Sequence, residues 1–223
     1  VNAAELLSQA EALLLDFDGP ICSVFAGIPA ATVADQLRTV LADGGHTNLP
    51  EPVVTSRDPF DVLRYAATLS DDDARYVEAA FTAHEVEAIP TAAPTPGAHE
   101  LMAAWHDSGR PLAIVSNNSE AAINTYLDFY ALRPLVDLVS ARESAGIEFL
   151  KPDPYFLHQA VRMLGISAEQ SVFIGDSATD VEAARSAGVR SIGYANKLGK
   201  RKRFSSAGAD AITDGLTTLV VVL

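Results

Sequence analysis

Leu13-Leu14-Leu15-Asp16-Phe17-Asp18-Gly19-Pro20 is the stretch on which the reading of this chain turns. Three consecutive apolar residues, then two carboxylates in alternate positions and a Gly-Pro breaker, predict a buried strand with a sharp turn at its C-terminal end. Side chains two apart on a strand share a face, and ligands of open parallel α/β sheets lie beyond the carboxyl ends of the strands. Asp16 and Asp18 are therefore expected in one site, provided the chain stays extended through Phe17. The plainer alternative is a turn at Asp18-Gly19-Pro20 with Asp16 as its acceptor. Carboxylates directly after an apolar run are costly unless a cation or hydrogen bonds compensate them, which favours the functional reading.

Working outward, 223 residues suffice for one sizeable core carrying a smaller insertion. With 48% hydrophobic and 20% charged residues the chain has ample material to bury, so global disorder is excluded. No run is long enough to span a bilayer, and the N-terminal residues lack the basic start and apolar core of a secretory signal, so a cytoplasmic location is expected. The single cysteine, Cys22, rules out an internal disulfide and reads as a small apolar packing residue. A formal net charge of -13 argues against nucleic acid as the partner. The basic cluster Lys197, Lys200, Arg201, Lys202 and Arg203 runs against that balance and is expected to be a solvated surface loop.

Residues 2 to 12 read as a short amphipathic helix. From Pro29 to Ile89 the periodicity is helical: Ala30 to Ala42, stopped by Gly44-Gly45; Pro59 to Leu69; and Asp71 to Ile89, with Ser70 as N-cap and Asp73 three residues on. This block predicts an inserted helical domain over residues 23–94, its exit marked by the linker-like Thr91-Ala92-Ala93-Pro94-Thr95-Pro96. Residues 1–22 and 95–223 would form the α/β core. There, predicted strands at Leu112 to Val115, Val136 to Ser140, Ser171 to Ile174, Ser191 to Tyr194 and Ala211 to Thr213 alternate with helices at His99 to Asp107, Glu120 to Tyr130, Pro154 to Leu164 and Val181 to Ala187. Such alternation predicts a Rossmann-like, three-layer parallel sheet.

Three further strand ends carry polar clusters. Ser116-Asn117-Asn118 follows an apolar strand and offers a hydroxyl and amides at a helix start, with capping by Ser116 or Asn118 the simpler use. Lys151 sits before Pro152-Asp153-Pro154, at a helix mouth where its charge opposes the dipole and therefore wants an anion. Gly175-Asp176-Ser177-Ala178-Thr179-Asp180 repeats the logic of the first strand, although Ser177 and Asp180 also fit a capping box.

In this order the four stretches, Asp16 to Gly19, Ser116-Asn117, Lys151 to Pro154 and Gly175 to Asp180, resemble the haloacid dehalogenase-like (HAD) hydrolase superfamily, specifically its phosphatase branch. Pro20 departs from the Thr or Val usual there. The resemblance implies a Mg²⁺-dependent phosphatase for a small phosphorylated metabolite, with a helical cap over the core and a monomeric or homodimeric state. Asp16 would be the nucleophile and Asp18 the acid/base. Asp16, the backbone carbonyl of Asp18, and Asp176 would hold the metal, with Asp180 supporting them or orienting Lys151. Ser116, Asn117 and Lys151 would bind the phosphate. Substrate choice is implied to come from the cap, where Arg57, at a loop position before a helix, is the leading candidate among Arg38, Arg57, Arg64, His46 and His84. A phosphomutase of the β-phosphoglucomutase type would use the same residues. A dehalogenase is disfavoured by Asp18, and a catalytically silent binding protein by the complete set of motifs.

Overall fold

The computed structural model describes residues 2–220. The chain enters through α1 (Ala3–Ser8), capped by Asn2, whose side chain accepts from the Glu5 amide at 2.8 Å. Next comes β1 (Ala12–Leu15), buried along its whole length. A two-residue strand, β2 (Cys22–Ser23), leads into α2 (Ala30–Asp43), α3 (Glu51–Thr55), α4 (Pro59–Leu69) and α5 (Asp71–Ala88). The chain returns through β3 (Ala93–Pro94) and continues α6 (Ala98–Asp107), β4 (Leu112–Ser119), α7 (Glu120–Phe129), β5 (Leu138–Arg142), α8 (Tyr155–Leu164) and β6 (Ser171–Gly175). It ends with α9 (Ala178–Ala187), β7 (Arg190–Tyr194), α10 (Lys200–Ala207), β8 (Ala211–Thr213) and α11 (Thr217–Val220).

The main sheet has six parallel strands in the order β5-β4-β1-β6-β7-β8. The alternation of side chains along β1 divides the core. Leu13 and Leu15 pack on one face with Leu101 and Trp105 of α6 and Ile123 and Tyr126 of α7. Leu14 faces the other side, against Leu157 of α8 and Ala183 and Ala184 of α9. Each such leucine or aromatic ring, removed from water, contributes about 1.5–3 kcal/mol relative to exposure. The strand order reverses at β1, between β4 and β6, which is where open α/β sheets place their ligands.

The inserted helical cap has its own core, in which Val33, Leu37 and Leu41 of α2 meet Val62 and Leu63 of α4 and Val77 and Phe81 of α5. Its helices begin where local chemistry requires. Asp58 caps α4 through the Phe60 amide, and Ser70 caps α5 through the Asp73 amide. The two chain segments at its base run side by side as the antiparallel pair β2–β3. No helix among the described residues is long and apolar enough to cross a membrane.

Several expected boundaries shift. The first helix stops at Ser8, with Gln9 as its C-terminal cap and the Glu11 amide bonded to the Gln170 carbonyl instead. β5 begins at Leu138, just after Asp137, whose carboxylate accepts the Leu112 amide at 2.8 Å, and it runs on to Arg142, which pairs with Ser119. β4 stays extended through Ser116-Asn117-Asn118 to Ser119, where a helix start was expected directly after Val115. Three elements, α3, α10 and the β2–β3 pair, are too short or too polar to register as periodic patterns. Cys22 is fully buried in the core. Phe156 is buried, whereas Tyr155 is exposed and lies against Phe149.

Candidate active site

The register of the central strands converts sequence spacing into proximity. Leu15 is the partner of Ile114 on one side and Ile174 on the other, so Asp16, Ser116 and Asp176 leave three neighbouring strands at nearly the same level. Side-chain oxygens of Asp16, Asp176 and Asp180 lie within 4.8 Å of one another. Two glycines make this approach possible. A Cβ on Gly19, whose φ is +109°, would fall 2.3 Å from the Asp176 carboxyl carbon, and one on Gly175 would fall 2.4 Å from the Asp180 Cβ.

Lys151 is the cationic centre of the cluster. Its ammonium lies 2.8 Å from Asp16 Oδ1 and 2.6 Å from Asp180 Oδ1, and its side chain is only 3% exposed. The Phe173 ring closes its other side, 5.2 Å from Nζ. Burial alone would lower the pKa of Lys151, but Asp16 and Asp180 reverse that and hold it charged. α8 starts at Tyr155, one residue later than the pattern predicts, with the Tyr155 amide donating to the Asp153 side chain, and the carboxylate pair is the anion that the position of the lysine calls for.

Asp180 serves two purposes at once. Its Oδ2 accepts from the Asp176 amide, the Ser177 amide and the Ser177 hydroxyl at 3.0, 2.9 and 2.7 Å, completing a capping box at the start of α9. Its Oδ1 faces Lys151. Among the described residues Asp16 accepts only the Phe17 amide besides Lys151. Burial pushes its carboxyl up to about 7 against the pull of Lys151, with Asp180 and Asp176 adding repulsion. Three carboxylates thus meet around one buried ammonium.

Asp18 is placed apart from the three. Its Oδ1 accepts the Val24 amide at 2.9 Å, and its carboxylate keeps solvent contact at the rim. Crowding by protein atoms nevertheless raises its pKa to about 6, with Asp176 and Glu85 adding to the effect and the Val24 amide opposing it. Pro20 is buried in the turn that carries the chain on toward β2.

The Ser116-Asn117-Asn118 segment is set differently from a helix cap. Ser119 caps α7 through the Ala122 amide, whereas Ser116 is buried and its hydroxyl exchanges bonds with Asn118. Asn117 clasps the Lys151 backbone, accepting its amide at 2.8 Å and donating to its carbonyl at 3.4 Å.

The residues of the cap considered for substrate contact are mostly engaged elsewhere. Arg38 pairs with Asp35, Arg64 with Asp61, His46 with Asp73 and His84 with Glu87. Arg57 is exposed between α3 and α4 and makes no hydrogen bond or ion pair among the described residues.

With this geometry in view, comparison with known proteins is direct. The haloacid dehalogenase-like hydrolase profile matches residues 10–188. The chain belongs to this family. It is similar to a phosphoglycolate phosphatase of Cupriavidus necator, 31% identical over 228 residues covering 95% of this chain and 92% of the relative. A phosphoglycolate phosphatase of Rhodospirillum rubrum is 33% identical over 67% of this chain and 62% of its own length. In fold it resembles the crystal structure of CbbY from Rhodobacter sphaeroides in complex with phosphate, with a TM-score of 0.68, 21% identity and coverage of 94% and 96% of the two chains. Within the haloacid dehalogenase-like hydrolases the chain falls in the phosphatase branch, among enzymes that cleave phosphoric monoesters.

Four residues of this neighbourhood escaped the sequence reading. Lys200, from the basic cluster expected to be a solvated loop, begins α10 and places Nζ 2.5 Å from Asp176 Oδ2, where Asn196 also donates at 3.2 Å. Arg201 of the same cluster pairs with Asp214. Glu85 and Arg142 lie buried behind the Ser116–Ser119 segment. Their signal was a polar stripe at helical spacing on α5, Glu78, Thr82 and Glu85, paired with an arginine closing the strand Leu138–Arg142.

Proposed function

We propose that the chain is a Mg²⁺-dependent phosphatase that hydrolyses a small phosphorylated metabolite through an aspartyl-phosphate on Asp16. The observation that carries this reading is the carboxylate cluster of Asp16, Asp176 and Asp180 with a single buried ammonium, Lys151, among them. The donor set fits the ion: it consists of oxygens alone, its charge is under-compensated, and Gly19 leaves the room a Cβ would fill.

Asp16, Asp176 and the Asp18 backbone carbonyl would hold Mg²⁺, which supplies charge that offsets repulsion between a carboxylate nucleophile and a phosphate dianion. Asp16 Oδ attacks phosphorus, and the ester oxygen leaves as the new bond forms. Lys151, fixed between Asp16 and Asp180, draws the equatorial oxygens, joined by the Ser116 hydroxyl and the Asn117 amide. Asp18, with its pKa raised to about 6 at the rim, gives its proton to the leaving oxygen and then takes one from the water that opens the acyl-phosphate. The cap, residues 23–94, covers the crevice and selects the leaving group, with Arg57 as one candidate contact. Given the names of its relatives, phosphoglycolate is the first ester to try.

The test is a panel of phosphate esters with and without Mg²⁺, Asp16→Asn serving as the blank. Inorganic phosphate should be released by the wild type with Mg²⁺ only. An isomerised sugar phosphate without released phosphate would instead support a mutase, and no turnover on any ester would overturn the proposal.

A further inference from the structure

We infer that Arg142 and Glu85 are positioning residues for phosphate binding: a buried ion pair through which the cap helix α5 sets the Ser116–Ser119 segment and Lys151. The inference rests on the phosphatase reading above, and it concerns groups that touch no reacting atom. Glu85 is fully buried, and the Arg142 side chain is 1% exposed. Charges so deeply buried are rarely worth more to stability than apolar residues of the same volume, so their use is to be sought in geometry.

The geometry is specific. Pairing between β4 and β5 slips between Ser116, opposite Ala141, and Ser119, opposite Arg142. A slip of this kind takes backbone groups out of the ladder and re-aims a segment. Arg142 Nε donates to the Asn117 carbonyl at 3.1 Å, while the Asn118 amide of the same peptide unit donates to Ser116 Oγ at 3.3 Å. That peptide plane is therefore held from both sides. Glu85 completes the grip, accepting from the Asn118 side chain and the Ser119 amide, each at 2.9 Å, and from Arg142 Nη2 at 2.6 Å.

The remaining valences of Arg142 go to α5. Nη1 donates to Glu78 and to Thr82 Oγ1, and the guanidinium carbon lies 4.8 Å from the centre of the Phe81 ring. Glu78, Phe81, Thr82 and Glu85 form one stripe along the helix, all directed at a single arginine. The path continues from the Asn117 side chain to the backbone amide and carbonyl of Lys151, and from Lys151 Nζ to Asp16. The cap's last helix is thus bonded to the phosphate-holding groups, whereas Asp176, the carboxylate that Lys151 does not reach, is positioned separately by Asp180 at the start of α9 and by the Gly19 turn.

Separate positioning gives the test its discrimination. Arg142→Lys keeps the charge and loses the fork that reaches Asn117; Glu85→Gln keeps the shape and loses the ion pair. Binding of inorganic phosphate to the Mg²⁺-loaded full chain, and of Mg²⁺ alone, is measured by calorimetry alongside the melting temperature. In Arg142→Lys, phosphate should bind about tenfold more weakly while Mg²⁺ affinity stays within about twofold. Glu85→Gln should shift phosphate affinity in the same direction, and the double variant should be no weaker than Arg142→Lys, because both act on one peptide. Unchanged phosphate binding in either folded variant overturns the inference, as does a parallel loss of phosphate and Mg²⁺ affinity. Wild-type protein that binds no phosphate with Mg²⁺ present would overturn the phosphatase reading itself.

Discussion

Lys200 places its ammonium 2.5 Å from Asp176 Oδ2, on the one carboxylate of the cluster that Lys151 does not reach. A tethered cation at that point competes with a divalent ion for the same charge. On the proposed metal role of Asp176, Lys200→Met should tighten Mg²⁺ binding about fivefold, roughly 1 kcal/mol. Calorimetric titration with MgCl₂ at constant ionic strength checks this, and weaker binding in the variant would refute it.

Among the described residues Lys151 is the one cation paired with two buried carboxylates, so its loss should be felt in stability as well as turnover. Lys151→Met leaves Asp16 and Asp180 facing each other and should cost about 3 kcal/mol, read from urea unfolding in the presence of EDTA. Phosphate release should fall by about a thousandfold. A variant as stable as the wild type would show that the ion pairs contribute nothing net.

Gly19 combines a φ of +109° with the close approach of Asp176. Gly19→Ala should therefore destabilise by about 1–3 kcal/mol and weaken Mg²⁺ binding together, since the methyl group can be accommodated only by moving the carboxylate. Gly109, also at positive φ but with nothing near its missing Cβ, provides the control. Gly109→Ala should lower stability without touching ion affinity.

His99 is half-buried, with Nε2 2.9 Å from the Tyr126 hydroxyl, and burial holds its pKa below the ordinary 6.5. Below pH 6.5 the unfolded chain takes up a proton that the folded chain still refuses. The neutral imidazole's contribution is thus complete above 6.5 and is lost as pH falls through the folded-state value. Unfolding free energies between pH 5 and 8 should show a shallower decline on the acid side for His99→Gln than for the wild type. Parallel profiles would sink the assignment.

Local chemistry wrote much of this molecule legibly. α4 runs from Pro59 to Leu69, and α5 starts at Asp71 behind Ser70, as periodicity and capping require, because a helix end is decided by residues within one turn of it. The apolar run Leu13-Leu14-Leu15 reads as a buried strand of a parallel sheet, while its place between β4 and β6 is set by the tertiary structure. Asp180 was readable both as a capping residue and as a partner of Lys151, and it is both.

What the linear pattern could not carry is the identity of partners far apart in the chain. Lys200 reaches Asp176 across 24 residues and Arg142 reaches Glu85 across 57, and although Glu85 belongs to a polar stripe on α5, nothing in the linear pattern names either partner. Polarity marked Ser116-Asn117-Asn118 as a helix start and the basic cluster as solvated. Hydrogen bonds from Arg142 and to Glu85 keep the first extended, and Asp176 draws the second inward. Propensity and patterning act through neighbours along the chain, so the sequence alone determined the elements and the strand ends that carry the motifs. Desolvated charges must find whatever counter-charge the packing brings within reach, so only the tertiary structure decided which of them meet.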